Sequence, residues 1–595
     1  MTASAPNPRA AALLAAALLA CPGDPGDPDD PGTTGGTADA VPTTGVPTTG
    51  VPTTGPTTGD PTTGVPTTGE PFDGVTLIKE IEYRPIDAAP IVAPDDPQGA
   101  VPLVIVAGEV TLADSVYDGA GARRFADVPD GEYTLRSDSP PDPGLPGTGP
   151  FVEALHTDLR TLDYGAPYAG RADVVAADAP GTALTLDVGA MQPLQAGDRF
   201  EVYSRNADAL WTLQPADAPG DPQPGATALS GWSVPWDEST VWSGRGGVPL
   251  LDPTRADAPR ITHIVSAPLV PDPTPEALAT DAWAHAYVSR VVASAALDLP
   301  AMTAGASSAA TGAFEPAAAE LADLDLRTSA LRTELASLGP DIFLLVCDAA
   351  IVREPGVEAP IVGTTPTLAS LSVSSVDIPV DPTCFPDEEG SCDPVACPDG
   401  CNGETAPIFP DDRQVALAWA DPHAGDATVT LTFGCAAYKA VTHPVAGTSE
   451  NLVASVNIRR PLADGGPVTP VVGAPGSLRV GGQAATHDVV VTDVGATPVL
   501  EYDPPALGSP DYYEITVRTL EDVLDDQQNI LSRRRAVAVL RTAATSVQIP
   551  PGVLEPGSYY YFQVRAVVGT TLAALSRATG HTGGSATAAT GLVTP

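Results

Sequence analysis

Residues 554–566 read Leu-Glu-Pro-Gly-Ser-Tyr-Tyr-Tyr-Phe-Gln-Val-Arg-Ala, and this stretch decides the fold class. Its Pro-Gly pair favours a tight turn. After the turn, bulky or apolar residues recur at every second position, which is the period of a strand with one buried face. These alternating residues are Tyr560, Phe562, Val564 and Ala566. The stretch therefore predicts a turn that leads into a half-buried strand.

The same residues closely resemble the end of a fibronectin type III domain, where a Leu-x-Pro-x-Thr/Ser-x-Tyr corner precedes such a strand. The resemblance implies that Leu554 closes one end of a β-sandwich and that Pro556 turns the chain. It also implies that Tyr560 buries its ring while its hydroxyl bonds to the backbone. We assign residues 466–570 to this domain, although Tyr502 stands where the family usually has Trp.

Alternation with a period of two also dominates the rest of the folded part. It is clearest in four runs, namely Leu184–Val188, Phe200–Val202, Val415–Trp419 and Val429–Phe433. Turn residues separate these runs, as is typical of antiparallel sandwiches. We therefore predict a mainly β protein with several β-sandwich domains in tandem and a few helices.

Two stretches favour helices. In the Ala-rich stretch 275–296, Trp283, Tyr287 and Val291 follow at i, i+4 and i+8. A second stripe of leucines runs from Leu321 to Leu338 and ends at Gly-Pro. Its first part, Leu-Ala-Asp-Leu-Asp-Leu-Arg, also alternates and fits a strand that leads into a shorter helix.

Near the start of the folded part, Val106–Val110 and Phe125–Leu135 resemble strands of a carboxypeptidase-regulatory or transthyretin-like sandwich. The shared features are a Gly near the first strand and a Val-Pro-x-Gly-x-Tyr-x-Leu turn and strand. Any hairpin with a Pro-Asp-Gly turn is the alternative. We place this sandwich at residues 72–180.

The amino-terminal residues indicate export. An Ala/Leu run over 10–20, with Arg9 as the only preceding positive charge, is shorter than the about 20 residues that cross a bilayer. Leu18-Leu19-Ala20-Cys21 resembles the lipobox of bacterial lipoproteins, which implies cleavage before Cys21 and lipidation of its thiol and amine. An ordinary secretory signal is the alternative. Pro22 stands where lipoproteins retained in the inner membrane carry Asp, so the resemblance implies the outer membrane.

A stalk follows the predicted anchor. Residues 21–71 consist mostly of Pro, Gly, Thr and Asp and contain six copies of Pro-Thr-Thr-Gly between Pro42 and Gly69. Such a segment has too little apolar surface to offset its chain entropy, so we predict that it is disordered. This layout resembles the Thr-Pro-Gly-stalk surface lipoproteins of myxobacterial-type genomes.

The predicted domain organisation has seven parts. They are a signal peptide (1–20), a disordered stalk (21–71), a first sandwich (72–180), a β-rich domain with helices (181–345), a disulfide-containing β domain (346–465), the fibronectin type III-like domain (466–570) and a flexible tail (571–595).

Charge narrows the possible partners. The formal net charge is −45, and Lys79 and Lys439 are the only lysines. Because nucleic-acid binding requires clustered Lys and Arg, we expect no nucleic-acid partner.

Six cysteines remain besides Cys21, and an even number in an exported chain predicts three disulfides. Cys347 and Cys435 lie in strand-like runs, so we expect them to pair across a sheet. The other four lie in a polar excursion, at Cys384, Cys392, Cys397 and Cys401. A four-cysteine zinc site is the alternative there, although the C-x2-C spacing typical of structural zinc is missing.

Motifs of catalysis and cofactor binding are mostly absent. The chain has no phosphate loop, no His-Glu-x-x-His and no Gly-x-Ser-x-Gly, so we predict no cofactor and no metal. Asp421, His423 and Asp426 form the nearest approach to a catalytic or metal-binding cluster, which we interpret as a loop between strands. Four tryptophans could form a sugar-binding platform, but a sandwich core is the favoured interpretation; they are Trp211, Trp232, Trp236 and Trp242.

We therefore expect a non-enzymatic, lipid-anchored cell-surface protein whose sandwiches contact protein or polysaccharide. The alternative is a secreted carbohydrate-active enzyme with accessory sandwiches and a cleft between Phe72 and Pro340. A pair of buried carboxylates beside the tryptophans would favour the enzyme.

Overall fold

The computed structural model describes most of the chain beyond the predicted stalk. The described residues are 74–86, 88–95, 103–107, 110–139, 150–174, 179–215, 220–244, 247–356, 361–379, 405–423, 427–445, 447, 449–524, 530–572 and 582–595. They form a mainly β structure with several sheets and two short α-helices, which confirms the predicted fold class. The predicted signal peptide and the whole of the predicted stalk lie outside them.

The first sandwich comprises residues 74–171. Its strands are β1 (Gly74–Ile78), β2 (Glu80–Arg84), β3 (Ile91–Pro94), β4 (Leu103–Ala107), β5 (Val110–Leu112), β6 (Val116–Tyr117), β7 (Ala122–Ala126), β8 (Tyr133–Ser139), β9 (Phe151–Thr157), β10 (Thr161–Asp163) and β11 (Ala166–Ala169). Sheets β10-β1-β7-β6 and β5-β4-β8-β9 enclose a core that includes Leu77, Ile105, Phe125 and Leu135. Strands β11, β2 and β3 form a separate small sheet.

The second sandwich comprises residues 179–316. Its elements are β12 (Ala183–Gly189), β13 (Arg199–Ser204), β14 (Ala209–Leu213), β15 (Leu229–Pro235), β16 (Val241–Trp242), a 3-10 turn (Pro253–Arg255), β17 (Arg260–Pro268), α1 (Pro275–Thr280), a 3-10 turn (Ala282–His285), β18 (Tyr287–Ala296), β19 (Ser307–Ala313) and β20 (Glu315–Pro316). Sheet β15-β12-β19 packs on the sheet of β16, β14, β13, β17 and β18. Phe200, Trp211 and Trp236 lie in the core between them.

The third sandwich comprises residues 320–468. Its elements are β21 (Glu320–Leu326), α2 (Thr328–Glu334), a 3-10 turn (Ala336–Leu338), β22 (Leu344–Pro355), β23 (Thr367–Ser374), β24 (Val376–Pro379), β25 (Thr405–Ile408), β26 (Arg413–Trp419), β27 (Ala427–Thr442), β28 (Ser449–Pro461), a 3-10 turn (Leu462–Asp464) and β29 (Pro467–Val468). Sheet β26-β21-β29 covers the long strands β23, β22, β27 and β28, and Leu324, Phe433 and Val456 lie between them.

The fourth sandwich comprises residues 472–593. Its strands are β30 (Gly476–Val480), β31 (Gln483–Ala484), β32 (Val499–Asp503), β33 (Tyr512–Leu524), β34 (Ile530–Thr542), β35 (Ser546–Gln548), β36 (Tyr559–Val568) and β37 (Gly583–Ala589). Sheet β31-β30-β32-β35 packs on β34-β33-β36-β37 around a core that includes Leu500, Ile515, Phe562 and Val564.

One hydrogen-bonded ladder passes through all four sandwiches. Its order is β17-β18-β23-β22-β27-β28-β37-β36-β33-β34-β9-β8-β4-β5. The fourth sandwich therefore lies between the first and the third in this ladder. Its link to the first is the parallel pairing of β34 with β9, from Ala538↔Val152 to Thr542↔His156.

The long helix predicted over 275–296 is wrong. Only Pro275–Thr280 is α-helical, and Tyr287–Ala296 is strand β18. β17 pairs along the whole of β18, and β23 pairs with its first four residues. These ladder bonds, with the β-branched Val288, Val291 and Val292, outweigh the helix propensity of its alanines.

The strand alternative for the leucine stripe is confirmed. Glu320–Leu326 is strand β21, and the following helix is only Thr328–Glu334. A 3-10 turn over Ala336–Leu338 comes next, and Gly339 caps it with a φ of 76°, which glycine adopts without strain.

The flexible tail predicted over 571–595 is also wrong for the part that the structure describes. Gly583–Ala589 form strand β37, and Leu592 and Val593 are buried. Small residues without obvious alternation concealed this strand, because Gly and Ala are weak strand formers on their own.

Candidate functional site

The predicted cross-sheet disulfide is present. Cys347 on β22 lies directly opposite Cys435 on β27, with their Cα atoms 4.1 Å apart. Both residues are buried, and their neighbours Leu345 and Ile351 lie in the same core. The bond therefore joins the two central strands of the third sandwich.

The remaining cysteine predictions lie outside the described residues. They concern Cys21, Cys384, Cys392, Cys397 and Cys401. The lipid on the first, and disulfides or zinc at the other four, stay predictions.

The predicted corner at 554–560 has the expected geometry. The Tyr560 hydroxyl accepts a hydrogen bond of 2.8 Å from the backbone N–H of Glu555, while the ring is buried. Leu554 is buried in the same core, and Pro556 begins the turn between them. Burial is the main cause that raises the pKa of Tyr560, so the hydroxyl remains a neutral hydrogen-bonding group.

Three of the four tryptophans form core rather than a platform. Trp211 and Trp236 contact each other edge to face at 5.2 Å, and Trp232 packs against Phe200. The indole N–H of Trp236 donates to the backbone oxygen of Pro249 at 2.9 Å. Trp242 alone is 60% exposed, so the four rings do not share one surface.

The loop between β26 and β27 brings part of the predicted Asp-His cluster together with residues from other strands. Asp421 accepts a bond of 3.1 Å from Nε of Arg353 and another of 3.0 Å from the backbone N–H of His423. The His423 ring packs edge to face on Tyr203 at 4.9 Å. Asp426 lies outside the described residues.

Electrostatics make His423 a poor proton acceptor. Burial, with smaller contributions from the charges of Arg353 and Arg260, lowers the pKa of His423 to about 3. The imidazole is therefore neutral near pH 7 and serves as a packed ring. A cleft of about 230 Å³ beside this loop is lined by Arg260, Glu315 and Asp421, among others. Within the described ranges, no group of three or more His, Cys, Asp or Glu residues could hold a metal ion.

Buried carboxylates in the second sandwich each have their own partners. Asp198 lies 3.0 Å from Nε2 of His263, and both side chains are completely buried. Asp257 receives two bonds, of 3.0 and 2.8 Å, from the guanidinium of Arg171. Glu201 accepts a bond of 3.1 Å from the backbone N–H of Thr367, on the strand face opposite the tryptophan core.

A buried turn over residues 205–208, between β13 and β14, joins three sandwiches. The Asn206 side chain accepts from the backbone N–H of Ile86 and donates to the oxygen of Arg255. Asp208 accepts bonds of 2.8 Å from the backbone N–H groups of Thr364 and Gly244. The sequence does not reveal this junction, because Ser-Arg-Asn-Ala-Asp between two apolar runs is typical of an exposed hairpin turn.

Comparison with known proteins adds no family. No protein-family model matches the chain, and no curated protein sequence matches it. Among the described residues, no helix is both long and apolar enough to cross a bilayer.

Proposed function

We propose that this chain is an exported lipoprotein, anchored through Cys21 at the outer membrane or cell surface, whose β-sandwiches bind protein or polysaccharide without catalysis. The observation that carries the proposal is Leu18-Leu19-Ala20-Cys21 followed by six Pro-Thr-Thr-Gly copies. A lipidated cysteine supplies membrane affinity, since each buried methylene contributes about 0.8 kcal/mol. A Pro/Gly-rich stalk then carries the folded part away from the membrane.

The disulfide supports the exported compartment. Cys347 and Cys435 are bonded inside a packed core. Structural disulfides of this kind are typical of proteins that fold in oxidising surroundings and rare in the reducing cytosol.

The fourth sandwich supports a display role, and we propose that it is a fibronectin type III-like domain. Its two sheets have the orders β31-β30-β32-β35 and β34-β33-β36-β37, with the Tyr560 corner before β36. Such sandwiches commonly serve as cell-surface modules.

The arrangement of three buried carboxylates, those of Asp198, Glu201 and Asp257, favours binding over glycoside hydrolysis. A glycosidase needs two carboxyl groups that face the same sugar bond. Asp198 is bonded to His263 in a closed core, and Glu201 faces the opposite side of its strand. Asp257 is held by Arg171 at the junction with the first sandwich.

The test is membrane fractionation of the full chain in a Gram-negative host that processes lipoproteins. Wild type should sediment with outer membranes, and Cys21→Ser should be released into the soluble fraction. Pro22→Asp is the matched control, because it keeps the lipidated cysteine and should stay membrane-bound but move to the inner membrane. A Cys21→Ser protein that remains in the outer membrane would overturn the proposed anchor.

The binding role is tested separately with a glycan and surface-protein array probed with residues 72–595. Reproducible binding to one class of glycan or protein is expected. Hydrolysis of an arrayed glycan would instead support the enzyme alternative.

A further inference from the structure

Strand β37 occupies an unusual place, because it is hydrogen-bonded to two different sandwiches. On one side it pairs with β28 of the third sandwich, from Val456↔Ala586 to Arg459↔Gly583. On the other side it pairs with β36 of the fourth, from Gln563↔Ala589 to Val568↔Gly584. The main-chain ladder between these two sandwiches therefore runs through β37.

The side chains of this segment enter both cores. Ala586, Ala589 and Leu592 belong to the core of the third sandwich, while Ala588 and Val593 belong to that of the fourth. All five are almost completely buried. Loss of the segment would expose apolar surface on both sides at once.

The small residues of β37, Gly-Gly-Ser-Ala-Thr-Ala-Ala, fit the narrow slot between the two sandwiches, where β37 lies between β28 and β36. A Cβ atom added at Gly584 would lie 2.6 Å from the backbone oxygen of Asn457 and 2.7 Å from a methyl group of Val471. Both distances are shorter than van der Waals contact, so the slot accepts glycine and excludes larger residues there.

Residues that follow β37 are hydrogen-bonded to strand β36 of the fourth sandwich. The backbones of Val593 and Tyr560 exchange two hydrogen bonds of 2.7 and 2.8 Å. Thr590 accepts a bond of 2.9 Å from the backbone N–H of Phe562. By contrast, the polar bonds between β28 and the other described strands of the fourth sandwich involve side chains, such as the bond of 2.8 Å that the Gln563 amide donates to the backbone oxygen of Val453.

We propose that residues 583–593 are a latch that joins the third and fourth sandwiches into one cooperative unit. With the latch docked, opening of either sandwich requires the other to open as well. With the latch displaced, β28 and β36 each lose a neighbouring strand, and only side-chain contacts, such as those of Leu520 and Tyr561 in the core of the third sandwich, still couple the two sandwiches. This inference is independent of the membrane anchor and of any ligand.

Native-state hydrogen exchange of the full wild-type chain in increasing urea tests the proposal. Backbone amides of 456–459, 563–568 and 584–589 are expected to exchange through one opening, with the same free energy and the same urea dependence. Distinct opening free energies for β28 and β36 would overturn it.

Gly584→Ala gives a second test, with Gly189→Ala as its control, because a Cβ at Gly189 meets no atom within 4 Å. Gly584→Ala should reduce the protection of the backbone amides of β28 and β36 against hydrogen exchange, in both strands together, by about tenfold or more. The protection of β12 and β13 should not change. Loss of protection in one strand alone, or in neither, would contradict the latch. If Gly584→Ala does not fold, Thr590→Val takes its place, because it removes only the hydroxyl that accepts from the backbone N–H of Phe562.

Discussion

Asp208 shows how a single side chain holds the sandwiches together. It is completely buried, has a φ of 54°, and accepts bonds from the backbone N–H groups of Gly244 and Thr364. Asp208→Ala leaves both donors without that acceptor. We expect the free energy of unfolding to fall by about 2–4 kcal/mol, measured by urea denaturation.

Asp127→Ala is the control for Asp208. Asp127 also has a positive φ, of 58°, but its side chain is exposed. The Asp127→Ala variant therefore measures the effect of the backbone conformation without a loss of buried hydrogen bonds. We expect its free energy of unfolding to change by less than about 1 kcal/mol. Equal losses in the two variants would contradict the role given to the Asp208 carboxylate.

The raised pKa of Asp348 leads us to expect that the free energy of unfolding falls as the pH rises through about 6. Burial raises the pKa of Asp348 to about 6, with a nearby Ser372 hydroxyl opposing the shift. A carboxyl pKa that is higher in the folded state than the unfolded value of about 3.9 favours folding at low pH. That contribution is lost as the pH rises through about 6. Asp348→Asn should therefore raise the free energy of unfolding by roughly 2 kcal/mol at pH 8 and change it little at pH 4.

Denaturant titrations at the two pH values measure this effect. Asp323→Asn, at an exposed position on β21, is the matched control and should have the same small effect at both. An Asp348→Asn protein that gains nothing at pH 8 relative to pH 4 would contradict the prediction.

For single residues, local sequence patterns predicted which side chains pack in the core, but they did not predict which polar side chains meet. Alternation placed Phe562 and Val564 in the core correctly, because burial of one strand face depends on nearby residues. Arg353 and Asp421 are 68 residues apart and meet only through the tertiary fold. Their pairing leaves no local signal in the sequence.

Between elements, the Cys347–Cys435 disulfide fixes β22 against β27. It closes a loop with a sequence separation of 88. Replacing both cysteines by Ala should lower the free energy of unfolding by roughly 4 kcal/mol, because the unfolded chain gains conformational freedom. Calorimetry or urea denaturation would measure the loss.

The single variants Cys347→Ala and Cys435→Ala complete a double-mutant cycle. Either one removes the bond, so each should destabilise the protein nearly as much as the double variant. Additive losses, or a double variant as stable as wild type, would show that the bond does not contribute in this way.

Strand β18 shows where sequence reasoning about elements fails. Trp283, Tyr287 and Val291 have helical spacing, yet Trp283 lies in a 3-10 turn and the other two lie in a strand. The strand forms because β17 and β23 offer backbone partners on both edges. Both partner strands lie outside the stretch whose spacing looks helical, so the local pattern of that stretch cannot reveal them.

In the whole molecule, the order of the sandwiches in the sheet differs from their order along the chain. The first sandwich joins the fourth through β9 and β34, and it also contacts the second through Asn206. Composition and alternation predicted sandwiches, but nothing in them predicts which edges pair. Edge pairing depends on shape and register, which form only when distant strands meet.

Mass spectrometry of the amino-terminal peptide from membrane-extracted protein tests whether Cys21 anchors an exported display protein. We expect a chain that begins at Cys21 and carries the added mass of a diacylglycerol group with an acyl chain on its amine. A chain that begins elsewhere, or an unmodified Cys21, would contradict it.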